Sequence, residues 1–285
     1  LGKVGHAAKW LGSAAGLVLV VGVLLWVVFG ADVARSSTPV PSGEQALRDA
    51  RKLPGGFWQS AVEQAHDALN AVRAQTKAEM AHGVSTAKFQ RGDHTKRLVA
   101  FTFDDGPHPG KTEPLLAVLR QNNVKATFFV VGMMAEKYPY LLRQEEAEGH
   151  EVGNHTYHHV NLTKIQPNLV QTEIRACDEV IRGVLGHGAM LLRPPGGNYN
   201  AKTVELTREV GYTTVLWTDD PGDYDSPGAE IILQRTLRDV SNGGIILLHD
   251  GIDQTIAILP RLIRWLRAKG YEIVTAGELI RRTQA

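Results

Sequence analysis

Leu98-Val-Ala-Phe-Thr-Phe-Asp-Asp-Gly-Pro107 opens the regular part of the chain. The run is short, apolar and rich in strand formers, and Gly-Pro stops it just after two carboxylates. Runs of the same kind recur at Ala126–Val131, Glu151–Asn154, Met190–Arg193, Thr213–Trp217, Ile245–His249 and Tyr271–Val274. Helical periodicity fills the gaps, at Leu115–Gln121, Leu141–Glu148, Leu169–Leu185, Ile231–Val240 and Ile256–Ala268. Alternation of this kind predicts an α/β fold with a parallel sheet and crossover helices, open or closed. Cys177 shares a helical face with Ile174, Val180, Ile181 and Val184 and reads as a core residue.

Polar residues gather where these runs end. Asp104 and Asp105 close the first, and His155 and His159 follow the third. Arg193 ends the fourth, Asp220 and Asp223 follow the fifth, and His249-Asp250 end the sixth. In parallel α/β folds, sites are built from the loops at that edge of the sheet. Their recurrence therefore points to one common site.

His155 and His159 stand four apart in HTYHH, which on a helical turn puts both imidazoles on one face. Two histidines and a carboxylate from Asp104 or Asp105 make the three-ligand set of a catalytic metal, with room left for water. Such a metal acidifies water and polarises an acyl oxygen. The other aspartate is then the candidate general base. Two adjacent carboxylates need separate partners, and Arg193 can pair with the base. His249 is the candidate general acid, with Asp223 favouring its charged form. This equipment suits metal-assisted hydrolysis of an amide or ester. No GxSxG elbow is present, so a serine nucleophile is disfavoured.

FTFDDGP (101–107), HTYHH (155–159), RPPGG (193–197), WTDDPGDY (217–224) and ILLHD (246–250) stand in the order found in the polysaccharide deacetylases, carbohydrate esterase family 4, which the chain resembles over residues 96–285. The resemblance implies a distorted (β/α)7 barrel. It implies Asp104 as base and Asp105, His155 and His159 as ligands of one divalent metal, usually Zn2+ with Co2+ or Ni2+ tolerated. Arg193 would tether the base, and Asp223 would partner the acid His249. Gly196 would offer an oxyanion-binding N–H, and Leu247 would line the acetyl pocket. Gly196 replaces a frequent tyrosine and Tyr224 a usual tryptophan, which alters the groove and pocket wall. Trp217 reads as core reaching toward the pocket. Tyr199 and Asn200 are candidates for lining a sugar groove, while His108 and His158 read as peripheral.

The implied reaction is removal of N-acetyl groups from N-acetylglucosamine polymers, with peptidoglycan first, and chitin or chitooligosaccharides second. An acetylxylan esterase is a further alternative, and a silent carbohydrate-binding relative is disfavoured because no ligand, base or acid is missing.

Upstream, residues 10–31 carry no charge, and Leu17–Gly30 is apolar throughout. About 20 such residues span a bilayer. With Lys3 and Lys9 before it, the segment reads as a single-pass anchor over residues 1–35, placing the rest outside the cytoplasm. A cleaved signal, and so secretion, is the alternative. Residues 36–95 read as a Ser/Pro linker and a helical stalk, with an apolar stripe between Trp58 and Val72. The 285 residues sum to a net charge of +1, and one cysteine precludes an internal disulfide. Balanced charge gives no field for nucleic acid, and a monomer is expected.

Overall fold

Residues 40–52, 74–75 and 88–284 are described by the structure, a computed structural model. In chain order the elements begin with α1 (Gly43–Lys52), β1 (Lys88–Phe89), β2 (Leu98–Asp104), α2 (Thr112–Gln121) and β3 (Thr127–Val130). α3 (Gly132–Lys137), α4 (Pro139–Ala147), β4 (Glu151–Asn154), α5 (Pro167–Leu185) and β5 (Leu191–Leu192) follow. The chain continues through α6 (Ala201–Glu209), β6 (Thr213–Val215), α7 (Ala229–Asp239), β7 (Gly244–His249), α8 (Asp253–Ala268), β8 (Glu272–Val274) and α9 (Ala276–Gln284).

Every strand pairing is parallel, in the order β1-β6-β5-β4-β3-β2-β7, with β8 on the first half of β2. Between β6 and β7 the ring is completed by a short stretch rather than a full strand pair. Asp219 bridges Ile246 there, and the Leu247 N–H donates to the Asp219 carbonyl at 2.8 Å. The result is an α/β fold whose parallel sheet is consistent with a distorted barrel.

All seven apolar runs read from the sequence are strands, because parallel strands are covered on both faces and so stay apolar throughout. β2 shows the division of labour. Val99, Phe101 and Phe103 pack outward against helix residues such as Leu116 of α2 and Leu259 of α8. Leu98 and Ala100 face the barrel interior with Val215, Ile245 and Leu247. α5 begins with Pro167 in its first turn and ends on Gly186 in the left-handed conformation, the usual stops for a helix. Its Cys177 is fully buried, and burial pushes the thiol up, which suits the core assignment.

The sheet starts earlier than the sequence patterning indicates, since β1 pairs with β6 upstream of residue 96. α1, inside the stretch read as linker and stalk, buries Ala46 and Ala50 against α5. The expected anchor at 1–35 and the apolar stripe at 58–72 lie outside the described residues. Among the described residues, no helix is long and apolar enough to cross a membrane.

Candidate active site

Strand register assembles the first pair. β2 and β7 run in parallel with Asp104 opposite His249. Side chains alternate along a strand, so Asp104 continues the inward row of Leu98, Ala100 and Thr102. His249 likewise continues the row of Ile245 and Leu247. Both stand at the C-terminal mouth of the barrel.

Arg193, just beyond β5, is completely buried. Its Nη1 donates to Asp104 Oδ1 at 2.7 Å and to Thr102 Oγ1 at 2.8 Å, and its Nη2 to the Leu216 carbonyl at 3.1 Å. The guanidinium lies over the Phe129 ring, 4.3 Å from its centroid, with Trp217 at 5.4 Å. Burial pulls this cation's pKa down while the Asp104 charge opposes the shift. The Arg193 backbone carbonyl takes a second task, accepting from His155 Nδ1 at 2.8 Å. That bond puts the proton on Nδ1 and leaves the Nε2 lone pair free.

Nε2 of His155 faces Asp105 Oδ1 at 3.4 Å, and Nε2 of His159 faces the same oxygen at 3.1 Å. Asp105 Oδ1 is buried yet has no hydrogen-bond partner. Donor atoms about 2.0–2.2 Å from one zinc ion would stand about 3.3 Å apart in a tetrahedral site. The three residues therefore fit a divalent cation, and the unpartnered oxygen is explained by one. Between the two aspartates, it is Asp105 that joins the histidines. Burial by itself would raise the Asp105 carboxyl. The neighbouring imidazoles, the His159 charge foremost, outweigh it and hold the group well below the usual carboxylate range.

The histidines do not meet on a helical turn, as their spacing predicts. Residues 155–159 form a loop with Thr156 at φ 66° and His159 at φ 59°. Such values are uncommon for side-chain-bearing residues and persist only where surroundings fix them. Here the Thr156 N–H donates to Asn154 Oδ1 at 2.8 Å, and the N–H groups of Gly132 and Met133 hold the carbonyls of Thr156 and Tyr157. Asp105 is left-handed too, at φ 74°. A strand would send adjacent side chains to opposite faces; this turn lets Asp105 serve the same mouth as Asp104.

His249 Nδ1 lies 2.7 Å from Asp223 Oδ1, and its backbone N–H donates to Oδ2 at 2.8 Å. Asp223 is buried and also accepts from Thr255 Oγ1 at 2.6 Å. Burial alone would depress the imidazolium. The Asp223 charge and hydrogen bond, with Asp105 and Asp104 beyond, outweigh burial and push it up to about 10. Asp223→Asn removes the nearest anion, so His249 loses its proton at lower pH. The basic limb of the pH–rate profile is expected to move to lower pH, with turnover falling roughly 10²-fold. An unmoved limb would separate Asp223 from the acid.

Leu247 is buried one inward position below His249, and Tyr224 meets the His249 ring edge-on at 5.2 Å. Gly196 sits at φ 60°, where glycine is favoured over tyrosine. Trp217 is buried against Arg193. Tyr199 is also buried in the inner core, whereas Asn200 is exposed and caps α6 through the Thr203 N–H. Sequence reasoning missed Thr102 and Thr255. Thr102 did leave a signal, as the one hydroxyl within an otherwise apolar run. Glu173 and Glu136 were also missed. Glu173, buried on α5, accepts from the His158 backbone N–H at 2.9 Å and faces its Nδ1 at 2.8 Å.

Comparison with known proteins agrees with this geometry. The family model described as polysaccharide deacetylase matches residues 91–215. A peptidoglycan-N-acetylglucosamine deacetylase of Bacillus cereus is 37% identical over 193 residues, covering 66% of this chain and 90% of the relative. A chitooligosaccharide deacetylase of Bradyrhizobium sp. is 36% identical, covering 62% of this chain and 88% of the relative. Among solved structures, the Bc1960 peptidoglycan N-acetylglucosamine deacetylase superposes with a TM-score of 0.66 at 33% identity, over 68% of this chain and 92% of that one. Sequence and fold point the same way, and the chain belongs to the polysaccharide deacetylase family, making it a hydrolase of the carbohydrate esterase type.

Proposed function

We propose that the chain is a Zn2+-dependent deacetylase that removes N-acetyl groups from N-acetylglucosamine residues of peptidoglycan, releasing acetate. The observation that carries the reading is the convergence on one barrel mouth of a paired base, a paired acid and a three-residue cation set. When bound on Asp105, His155 and His159, the metal polarises the acetyl oxygen and acidifies water. Asp104, held by Arg193, accepts the proton of the attacking water. His249 donates its proton to the departing amine, so the acyl C–N bond breaks and acetate leaves with the water oxygen. The Gly196 N–H binds the developing oxyanion, Leu247 borders the acetyl group, and Tyr224 and Trp217 wall the pocket.

Peptidoglycan is preferred because the B. cereus relative bears that name over most of its length, and an outward-facing anchor at residues 1–35 would hold a monomeric enzyme beside the wall. The catalytic unit is read as beginning upstream of residue 96, where β1 and α1 join it. A chitooligosaccharide substrate is the second reading, supported by the Bradyrhizobium relative at similar identity.

Acetate release from peptidoglycan, chitooligosaccharides and acetylated xylan tests the reading, with chelated and Zn2+-reloaded protein side by side. Metal-dependent release, fastest from peptidoglycan, is expected. Faster release from chitooligosaccharides would favour the second reading, and no release from any substrate after reloading would overturn both.

A further inference from the structure

The loop carrying two of the metal ligands is held from several sides, and one of them comes from outside the stretch that matches the family. α1 packs on α5 through Ala46 and Ala50. Arg51, in its last turn, forms an ion pair with Glu136 of α3. The other oxygen of Glu136 accepts from the Tyr157 hydroxyl at 2.5 Å. Tyr157 is buried between His155 and His159 in sequence, and its ring lies against Gly132, where a Cβ would stand 2.7 Å from Cδ2. There is thus no space for the tyrosine to shift toward α3. On its far side the neighbouring His158 is fixed by Glu173 of α5, the helix on which α1 rests.

We propose that Arg51 is a positioning residue for the metal loop. Through Glu136 it holds the Tyr157 hydroxyl, and so helps keep the left-handed residues Thr156 and His159 in the conformation that aims both imidazoles at Asp105. A backbone in that region relaxes when its restraints are removed, and groups that orient ligands from behind set metal affinity. Arg51 touches neither metal nor substrate; its effect is on ligand placement. The inference rests on the Asp105/His155/His159 metal reading.

The test titrates Co2+ into the full chain and follows its visible absorption, for wild type, Arg51→Met, Arg51→Lys, Tyr157→Phe and Arg51→Met/Tyr157→Phe. Arg51 is half exposed, so its replacement leaves the fold intact, which circular dichroism checks. Arg51→Met is expected to weaken Co2+ binding by about tenfold, the low end for groups behind a ligand, and to shift the Co2+ bands. Arg51→Lys should recover most of the affinity, and Arg51→Met should add nothing in the Tyr157→Phe background. Unchanged affinity and bands in Arg51→Met would overturn the proposal. So would an undiminished loss in the Tyr157→Phe background, which would place the action of Arg51 elsewhere. Failure of wild type to bind Co2+ would instead remove the metal reading itself.

Discussion

Asp104→Asn is expected to keep its metal and lose about 10³-fold in turnover, within the range for a general base. Asparagine has the shape of aspartate, and its carbonyl oxygen can still accept from Arg193 Nη1 where Oδ1 now does at 2.7 Å. It has no lone pair basic enough to take a proton from water. The cation set is Asp105, His155 and His159, and Asp104 Oδ2 stands 3.6 Å from His155 Nε2 without belonging to it. Co2+ affinity should therefore match wild type while acetate release collapses. Full turnover would remove Asp104 from the chemistry. Joint loss of metal and turnover would place it among the ligands.

Arg193→Met should be the most damaging single change to stability, at about 3–5 kcal/mol. The side chain is wholly buried, and Asp104 is only 3% exposed. Removing the cation takes from the buried Asp104 carboxylate the guanidinium hydrogen-bonded to it, and it also strips the donors from Thr102 and the Leu216 carbonyl. Lysine is no remedy, because one ammonium cannot reproduce a planar fork lying over Phe129. Against a total stability of about 5–15 kcal/mol for a domain, the loss is large. Urea unfolding of both single variants and of Arg193→Met/Asp104→Asn measures the coupling. The double variant should recover more than about 1 kcal/mol over the sum of the singles, since it leaves no buried charge. Strict additivity would show that the pair is not energetically linked.

Much of the scaffold is legible in the sequence because burial on both faces writes each strand as an unbroken apolar run. Leu98–Asp104 and Gly244–His249 are visible for that reason. Segments whose stability comes from elsewhere are not. α1 hides because Ala46 and Ala50 are its whole buried face, and β1 because two residues leave no period to read. α6 gave a local clue in Asn200 and Thr203, which cap each other reciprocally. At the site, residue types and their order were readable, while the division of labour between Asp104 and Asp105 came from the family resemblance and not from the residue types. That division depends on one backbone torsion. The loop at 155–159 likewise took its shape from Asn154, Gly132 and Glu173 rather than from helical periodicity. Glu173 itself is set by how α5 packs, which no local pattern records.

The left-handed turn at Asp105 has a genetic corollary. Aspartate and asparagine are the non-glycine residues that best tolerate that conformation, and their codons differ at a single base. One transition can therefore replace the carboxylate of the candidate cation set with a neutral amide while the turn, the barrel and its packing persist. Active and silent copies of such a gene lie one mutational step apart, and the step is reversible.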